Sequence, residues 1–355
     1  MTYIRHPFSF EEDPSNPIIG HVEMEQPLPC ETTIGGSGFY RQAHLALKNG
    51  GGLDLVLYHN PFTAAFIYMR ETVLDQNLLD LIGIPNSSAL AGRKVKLPGQ
   101  LMMGAERTAL IDRATTYLVG AEPIAAIARQ RHQQNLAVFP IAREGLKYGV
   151  AEALHANYGY YCDEILLDAH HVFDSSVPVY NRKVELGIFK DKDLDKGQKD
   201  KIQVAFIADS IASGLVMKEV IARISDRFEY LEHVEVVAPL TTIRGLCRLA
   251  SAPVASQAKV RVHVFETLLN ALPPDYYYSA HIPLPELHID PVQEQEYRAW
   301  WGEDSSGNAI ADTACAGYGW SEAFYSPRKQ LQMMNAELTS RHGLTIADIL
   351  LRNVK

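Results

Sequence analysis

The stretch that decides the fold joins an apolar segment to a helical one and reads Phe206-Ile207-Ala208-Asp209-Ser210-Ile211-Ala212-Ser213-Gly214. We predict a strand over 202–208 and a helix over 214–227. The small residues between them let backbone N–H groups approach an anion, and the helix N-terminus adds free N–H groups and a positive dipole end. The Asp209 carboxylate can accept hydrogen bonds from sugar hydroxyls. The stretch therefore predicts a sugar-phosphate site, although a plain capped strand-to-helix turn has the same composition.

Strands and helices alternate on both sides of this stretch. Apolar runs predict strands over 136–141, 164–167, 202–208, 233–239 and 260–265. Residue spacing predicts helices over 106–118, 122–133, 145–156, 214–227, 242–249 and 330–342. This alternation is typical of a parallel sheet with helices on both faces. We therefore expect an α/β fold with additional N-terminal and C-terminal segments.

The first hundred residues have a weaker pattern. Residues 1–30 are rich in proline and acids and are expected to form an arm over the surface, and the glycine-rich turn at 35–38 is expected to open a helix over 39–48. A strand is expected over 53–58, before short elements that the pattern does not arrange. The chain is accordingly divided into an N-terminal segment of unknown role (1–105), a core (106–270) and a C-terminal segment (271–355).

A second strand end carries groups suited to an anion. The strand over 136–141 leads into a tight turn that reads Pro140-Ile141-Ala142-Arg143-Glu144-Gly145-Leu146. Arg143 offers a planar fork that binds phosphate oxygens in pairs. Ligands of open parallel sheets bind at the carboxyl ends of the strands, so this turn and residues 209–214 are the places to inspect. A solvated arginine in a surface turn is the alternative interpretation.

The two loops together resemble a known family. Residues 206–214 resemble the phosphoribosyl diphosphate (PRPP) signature of type I phosphoribosyltransferases, in which an apolar strand, one or two acids and small residues precede Thr-Gly or Ser-Gly. Residues 140–146 are similar to the Pro-Ile-x-Arg-x-Gly-Leu diphosphate loop of the uracil branch. The resemblance covers roughly residues 106–325. It departs from the family pattern at Ala208, which precedes a single acid, at Ser213 in place of threonine, and at Leu215 in place of a small residue.

Two further segments extend the resemblance. Residues 177–180, Val-Pro-Val-Tyr, lie where the uracil branch carries its lid, and residues 316–322 are weakly similar to its glycine-rich base-binding segment. Residues 168–171, Asp-Ala-His-His, follow a predicted strand and precede Arg182 and Lys183, cations that could close over a diphosphate. An ordinary exposed loop remains the alternative there, and the mixed charges of residues 190–196 favour a mobile, solvated loop.

The resemblance implies a set of roles for residues of this chain. It places the 5′-phosphate of PRPP on Ser210, Ile211, Ala212, Ser213 and Gly214, and the ribose hydroxyls on Asp209. It assigns the diphosphate to Arg143 with the backbone around Ala142, Glu144 and Gly145, together with Mg²⁺ carried by PRPP. It places a nitrogenous base, with a pyrimidine favoured, on the C-terminal side, where Tyr318, Trp320 or Phe265 could stack on it. Asp209 and Arg143 are the expected catalytic residues.

Composition excludes several classes of protein. Among the 355 residues, 33 basic and 42 acidic side chains give a net charge of −9, which argues against a nucleic-acid partner. Apolar runs are far shorter than the ~18 residues of a membrane span, and the N-terminus does not resemble a signal peptide. Four widely spaced cysteines indicate reduced thiols in a cytoplasmic protein. Association into a homo-oligomer is left open.

Three functions are compatible with these features of the sequence. The first is transfer of ribose 5-phosphate from PRPP to a base, and the second is a non-catalytic protein of the same fold that senses PRPP or a nucleotide. The third is an unrelated α/β enzyme that acts on a sugar phosphate. Weaker motifs have structural interpretations: the histidines at 170, 171, 281 and 288 match no metal-ligand spacing, and Trp300 and Trp301 are expected in the core.

Overall fold

The computed structural model describes residues 4–10, 17–85, 89–142, 144–176, 182–187, 201–252, 258–269, 287–311 and 324–354. Its strands are β1 (Ile4–Phe10), β2 (Ile18–Met24), β3 (Leu28–Thr32), β4 (Gly36–Leu47), β5 (Gly52–His59), β6 (Met69–Val73), β7 (Lys94–Pro98), β8 (Leu136–Ala142), β9 (Asp163–Glu164), β10 (Leu167–Phe173), β11 (Arg182–Leu186), β12 (Val204–Ala208), β13 (His233–Val237), β14 (Lys259–Phe265), β15 (Thr267–Leu268) and β16 (Leu287–His288). Its helices are α1 (Pro61–Ile67), α2 (Gln76–Ile82), α3 (Gly104–Gly120), α4 (Ile124–Arg129), α5 (Val150–Tyr158), α6 (Leu215–Arg227), α7 (Ile243–Ala250), α8 (Pro291–Trp301), α9 (Pro327–His342) and α10 (Ile346–Asn353).

Twelve of the described strands form one sheet. Its order is β1-β2-β4-β5-β14-β13-β12-β8-β10-β11, with β3 paired to β4 and β9 paired to β8. The strands from β5 to β10 in this order run parallel, whereas β1 to β4 extend one edge in antiparallel fashion and β11 extends the other. A mostly parallel sheet flanked by helices confirms the α/β class.

The parallel strands follow a doubly wound order. Counted along the chain, β8, β10, β12, β13 and β14 are the first to fifth strands of this unit, and they lie in the order 2-1-3-4-5. In such sheets the connections change direction between the first and the third strands, and a crevice opens outside their carboxyl ends. The switch point of this chain therefore lies between the ends of β8 and β12.

Burial explains why the central strands were recognisable from sequence. All five residues of β12 are buried, and β8 is buried from Leu136 to Ile141. Phe206 belongs to the buried cluster shared with α3 and α5, whereas Ile207 belongs to the cluster shared with α6 and α7. Helices on both faces leave no water-facing side to these strands, so they are apolar throughout rather than alternating.

The N-terminal residues are strands, contrary to expectation. The helix expected over 39–48 is wrong, because β4 covers that stretch and pairs with β5 from Phe39 to Ala46. The overlooked signal is Asn49-Gly50 between two apolar runs, the pairing most typical of a tight hairpin. The surface arm over residues 1–30 is also wrong where described, since β1, β2 and β3 join the sheet and bury Val22 and Met24. The sheet thus includes strands from both sides of residue 105.

Local differences also affect the second predicted strand and two helices. Residues 168–171, expected in a loop, lie within β10, which forms a hairpin with β11. The expected lid at 177–180 and the charged run at 190–196 lie outside the described residues. The helix expected from residue 145 begins at Val150, after a 3₁₀ turn over Gly145–Lys147, and that expected over 122–133 is reduced to α4. No helix in the described ranges has the length and apolar character needed to cross a membrane.

Candidate functional site

The two loops singled out from sequence meet at the switch point. β8 and β12 are parallel neighbours with Pro140 opposite Ala208, so the residues that follow them leave the sheet side by side. Gly145 lies directly against the end of β12, because a Cβ atom added to it would stand 1.9 Å from the Ala208 carbonyl oxygen. Only glycine allows this approach. Ala142, Glu144 and Gly145 are thereby brought beside residues 209–214, whereas Arg143 lies outside the described residues.

The loop after β12 is anchored from the side of β13 and α7. The N–H of Ile211 donates to the Leu240 carbonyl at 2.9 Å. The Thr242 hydroxyl donates to the Ala212 carbonyl at 2.6 Å, and Arg248 donates to the Ser213 carbonyl at 2.7 Å. The bonds from Thr242 and Arg248 hold the carbonyl groups of Ala212 and Ser213 away from the crevice.

A second glycine, Gly245 on α7, allows the loop that follows β12 to pack closely on this helix. Gly214 has a positive φ of 76°, and a Cβ atom there would stand 2.6 Å from the Gly245 carbonyl oxygen. A Cβ atom on Gly245 would stand 2.5 Å from Cγ2 of Ile211 and 2.6 Å from the Ala212 carbonyl oxygen. The loop therefore packs directly on the backbone of α7. Sequence reasoning missed Gly245, because a single glycine in a helix gives no indication of what packs on it.

The N-terminus of α6 has the character of an anion site. Gly214 is its N-cap and supplies no side chain, and the Leu215 N–H donates only a long bond of 3.3 Å to Oγ of Ser213. Within the described ranges, no group accepts a hydrogen bond from the amides of Ala212, Ser213 or Gly214. Free N–H groups at the positive end of a helix dipole favour negative charge. The loop can therefore receive a phosphate.

Two carboxyl groups border the crevice. Glu144 is buried, with 4% of its surface exposed, and Asp209 is half-buried. Burial, and then the neighbouring Glu144 charge, raise the pKa of Asp209 well above its ordinary value, against the opposing effect of a hydrogen bond from the Ser210 backbone. Two acids so close together disfavour double ionisation. Asp209 thus follows β12 directly and has an acidic neighbour, Glu144, that sequence reasoning assigned only to the diphosphate loop.

Tyr148 connects the two loops. Its side chain is fully buried, its hydroxyl donates to Oε2 of Glu144 at 3.2 Å, and it shares a hydrogen bond with Oγ of Ser210. Burial, followed by the Glu144 charge, raises the pKa of Tyr148 well above its ordinary value, so the hydroxyl stays protonated. Sequence reasoning missed this residue, since nothing near Tyr148 in the chain reveals a partner 62 residues away.

The C-terminal segment reaches the crevice at Phe324 and Tyr325. The Phe324 ring packs edge-on against Tyr148 at 6.3 Å, and the Arg107 guanidinium lies 5.3 Å from the centre of the Phe324 ring. Tyr325 is half-exposed, carries Lys147 Nζ 4.9 Å from its ring centre, and has its pKa raised by burial and then by the Glu144 charge. The half-exposed ring of Tyr325 therefore borders the crevice on the side next to Glu144.

Other sequence candidates fall elsewhere. Tyr318 and Trp320 lie outside the described residues, and Phe265 is completely buried against Phe66, so it presents no face to a ligand. Trp300 and Trp301 are buried in the core, as expected. The described ranges contain no cluster of three or more histidine, cysteine, aspartate or glutamate side chains suited to a metal ion.

A separate polar centre occupies the same edge of the sheet, at the ends of β5 and β14. His59 Nδ1 lies 2.8 Å from Oε2 of the fully buried Glu266, and the Thr63 hydroxyl donates to the other carboxylate oxygen. Glu266 has a positive φ of 58°, which is strained for a residue with a side chain. Burial would lower the pKa of His59, but the hydrogen bond and charge of Glu266 raise it above its ordinary value.

A cavity of about 260 Å³ lies away from both centres, on the side of β5 and β14 that faces α6 and α7. Its polar lining includes His44, Asp54, Lys218 and Lys259. No sequence-predicted site residue lines it. The cavity is therefore not the site indicated by the two loops.

Comparisons with known proteins extend over parts of the chain. No family model matches it, and no curated protein matches it. It is similar to the AQ2163 protein from Aquifex aeolicus over 47% of its own length and 78% of the other chain, at 14% identity and a TM-score of 0.34. It is similar to adenine phosphoribosyl transferase from Trypanosoma brucei, in complex with AMP, pyrophosphate and ribose-5-phosphate, over 59% of its length and 83% of that chain, at 11% identity and a TM-score of 0.33. At this level of likeness, the assignment of the site rests on the loops themselves.

The fold and the crevice together define the structural class of this protein. The chain is a doubly wound α/β protein whose switch point carries a helix N-terminus, two carboxyl groups and two hydroxyl groups, on Tyr148 and Ser210. Such a site can bind an anionic ligand that also offers hydroxyl donors.

Proposed function

We propose that this protein transfers the ribose 5-phosphate of PRPP to a nitrogenous base, with a pyrimidine favoured, and releases diphosphate. One observation carries the proposal: the two loops that resemble the PRPP and diphosphate motifs end neighbouring parallel strands and touch through Gly145. The two loops lie about 65 residues apart in the chain, and their resemblance to the motifs does not by itself require them to meet. Their meeting at the switch point is therefore independent support for the proposal.

The phosphate of the substrate would bind at the start of α6. The amides of Ala212, Ser213 and Gly214 have no acceptor in the described part of the chain, and the dipole of a 13-residue helix favours the phosphate charge. The anchoring bonds from Thr242 and Arg248 fix the loop before the ligand arrives. Binding would then cost little ordering of the loop.

The ribose and diphosphate would occupy the gap between the loops. Asp209 would accept hydrogen bonds from the ribose hydroxyls, and Arg143 with the backbone of residues 142–145 would hold the diphosphate. The side chains bordering the gap carry oxygen atoms, which suit a hydrated Mg²⁺ that enters on the diphosphate and keeps its waters. Bound there, the ion would neutralise charge on the leaving diphosphate.

The proposed transfer depends on the positions and charges of the groups that border the gap. Departure of diphosphate leaves positive charge on the sugar ring, and the carboxylate of Asp209 would stabilise it. Holding the base and the sugar in line supplies much of the remaining rate advantage. The base would enter from the C-terminal side, where Tyr325 borders the gap.

A second candidate is a non-catalytic protein that senses PRPP or a nucleotide. The observation in its favour is Glu144, a buried carboxyl group within the loop that should hold a diphosphate. A second negative charge beside Asp209 opposes a strongly anionic leaving group. This candidate predicts binding of PRPP without release of diphosphate.

Calorimetric titration with PRPP, with and without Mg²⁺, tests the proposal. We expect saturable binding by the wild type, loss of at least tenfold in affinity in Asp209→Asn, and no change in Asp226→Asn, an exposed acid on α6. Diphosphate release is then measured with uracil, other pyrimidines and purines. Binding without release by any base supports the sensor, and absence of binding contradicts both candidates.

A further inference from the structure

Three side chains form a hydrogen-bond chain that runs through the crevice. Oγ of Ser210 bonds to the Tyr148 hydroxyl, which in turn lies 3.2 Å from Oε2 of Glu144. Tyr148 is fully buried and Glu144 is 4% exposed, so water does not replace these partners easily. The chain links the phosphate loop to the diphosphate loop.

The number of protons in this hydrogen-bond chain determines which group donates in each bond. A tyrosine hydroxyl and a serine hydroxyl each carry one proton, and an ionised carboxylate carries none. With Glu144 ionised, Tyr148 donates its proton to Glu144, and Ser210 therefore donates its own proton to the Tyr148 oxygen. Ser210 then presents only lone pairs to the start of α6. In this state it cannot donate to a phosphate dianion, which is itself an acceptor.

One added proton reverses every donor in the chain. When Glu144 takes a proton from solvent, its O–H donates to the Tyr148 oxygen, the Tyr148 O–H donates to Oγ of Ser210, and the Ser210 O–H is released toward the crevice. The only covalent bond that forms is the new O–H bond of Glu144. The phosphate then gains a donor, and the crevice loses one negative charge.

We propose that binding of the phosphate dianion is coupled to uptake of one proton by Glu144, transmitted through Tyr148 to Ser210. The identity of the ligand rests on the proposed function, whereas the coupling rests on the hydrogen-bond chain. Tyr148 is in this sense a positioning residue, which acts on the ligand through Ser210.

The charges around Glu144 favour this coupling. Asp209 faces it from the loop after β12, and Tyr325, with Lys147 on its ring, faces it from the C-terminal segment. Arg107 contributes a positive charge near Tyr148 from α3. A bound dianion adds negative charge beside Glu144, so it favours uptake of a proton by Glu144.

Calorimetry in buffers of different ionisation enthalpy measures the proton directly. PRPP is titrated at pH 8 with saturating Mg²⁺, where a phosphate monoester with a pKa near 6 is already fully ionised. We expect the wild type to take up close to one proton per PRPP bound, and its affinity to fall by up to tenfold per unit rise in pH. Binding without proton uptake would overturn the inference.

Two variants separate the coupling from a structural effect. Tyr148→Phe keeps the ring against Phe324 but breaks the chain, so proton uptake should vanish and the affinity should become independent of pH. Glu144→Gln carries a permanent donor, so it should bind PRPP at least as tightly as the wild type at pH 8 and take up no proton. Tyr158→Phe, which removes a hydroxyl bonded to the Val119 carbonyl outside the crevice, should behave as the wild type. Full proton uptake in Tyr148→Phe would place the proton elsewhere and refute the proposal.

Failure of the proposed function is distinguishable from failure of this inference. If the wild type does not bind PRPP, the proposed function is wrong, and the titration is repeated with sulfate, which stays a dianion throughout. Uptake of a proton with sulfate, lost in Tyr148→Phe, would still support the coupling. Sulfate binding without a proton, or no sulfate binding, would overturn it.

Discussion

Gly145 stands so close to the end of β12 that a side chain on it would meet the carbonyl oxygen of Ala208 at 1.9 Å. This contact joins the loop after β8 to the strand that carries Asp209. It is the structural reason why two short motifs, separated in the chain, form one crevice.

The first prediction concerns this contact. Gly145→Ala should lower the free energy of unfolding by roughly 1–3 kcal/mol, because the clash is with backbone that cannot move aside cheaply. PRPP affinity should fall as the loops separate. Gly159→Ala is the matched control, since its positive φ strains the backbone but no atom lies within 4 Å of the added Cβ. Unchanged stability of Gly145→Ala in urea denaturation would show that the contact with Ala208 contributes nothing.

A second prediction concerns Gly245 on α7. Replacing glycine by alanine inside a helix ordinarily stabilises by about 0.5–1 kcal/mol. Gly245→Ala should instead destabilise, because its Cβ would meet Ile211 Cγ2 at 2.5 Å and the Ala212 carbonyl oxygen at 2.6 Å. The thermal midpoint and PRPP affinity measure the two consequences. An increase in thermal midpoint with unchanged affinity would contradict close packing of the loop on α7.

A third prediction concerns His59 and Glu266. The charge and hydrogen bond of Glu266 outweigh burial and raise the pKa of His59, so Glu266→Gln should bring it below about 6.5, the unfolded value. NMR titration of the His59 ring measures this shift. A histidine with a raised folded pKa stabilises fully below its unfolded pKa, and this stability is lost as the pH rises through the folded value. The stability difference between wild type and Glu266→Gln should therefore shrink from pH 6 to pH 8, and a constant difference would refute the pairing.

The fourth prediction concerns Tyr325. Its half-exposed ring borders the crevice on the side where the base is expected. In the proposed reaction, Tyr325→Ala should raise KM for the base by roughly 5- to 150-fold and change PRPP affinity less than twofold, since stacking contributes about 1–3 kcal/mol per base. Tyr230→Ala, an equally exposed tyrosine beyond the end of α6, is the control. A larger effect on PRPP than on the base would place Tyr325 at the wrong end of the ligand.

Prediction from sequence succeeded where local pattern and burial agree. The central strands are buried on both faces, so their apolar runs stand out, and β12 and α6 lie within one or two residues of expectation. Prediction failed for β4, because the glycine-rich turn before it was interpreted as the start of a helix, whereas this stretch pairs with β5 over eight register positions. It also missed His59 and Glu266, which lie 207 residues apart in the chain.

The sequence by itself determined the α/β class, the loops that follow β8 and β12 and the residue types that they carry, because strand–loop–helix transitions depend on neighbouring residues. Only the tertiary structure decided that β8 lies beside β12, that Tyr148 joins Glu144 to Ser210, and that the N-terminal strands extend the same sheet. Strand order depends on which long-range pairings bury the most apolar surface together. The order of the strands therefore depends on contacts made along the whole chain, and the local composition of a single strand does not determine it.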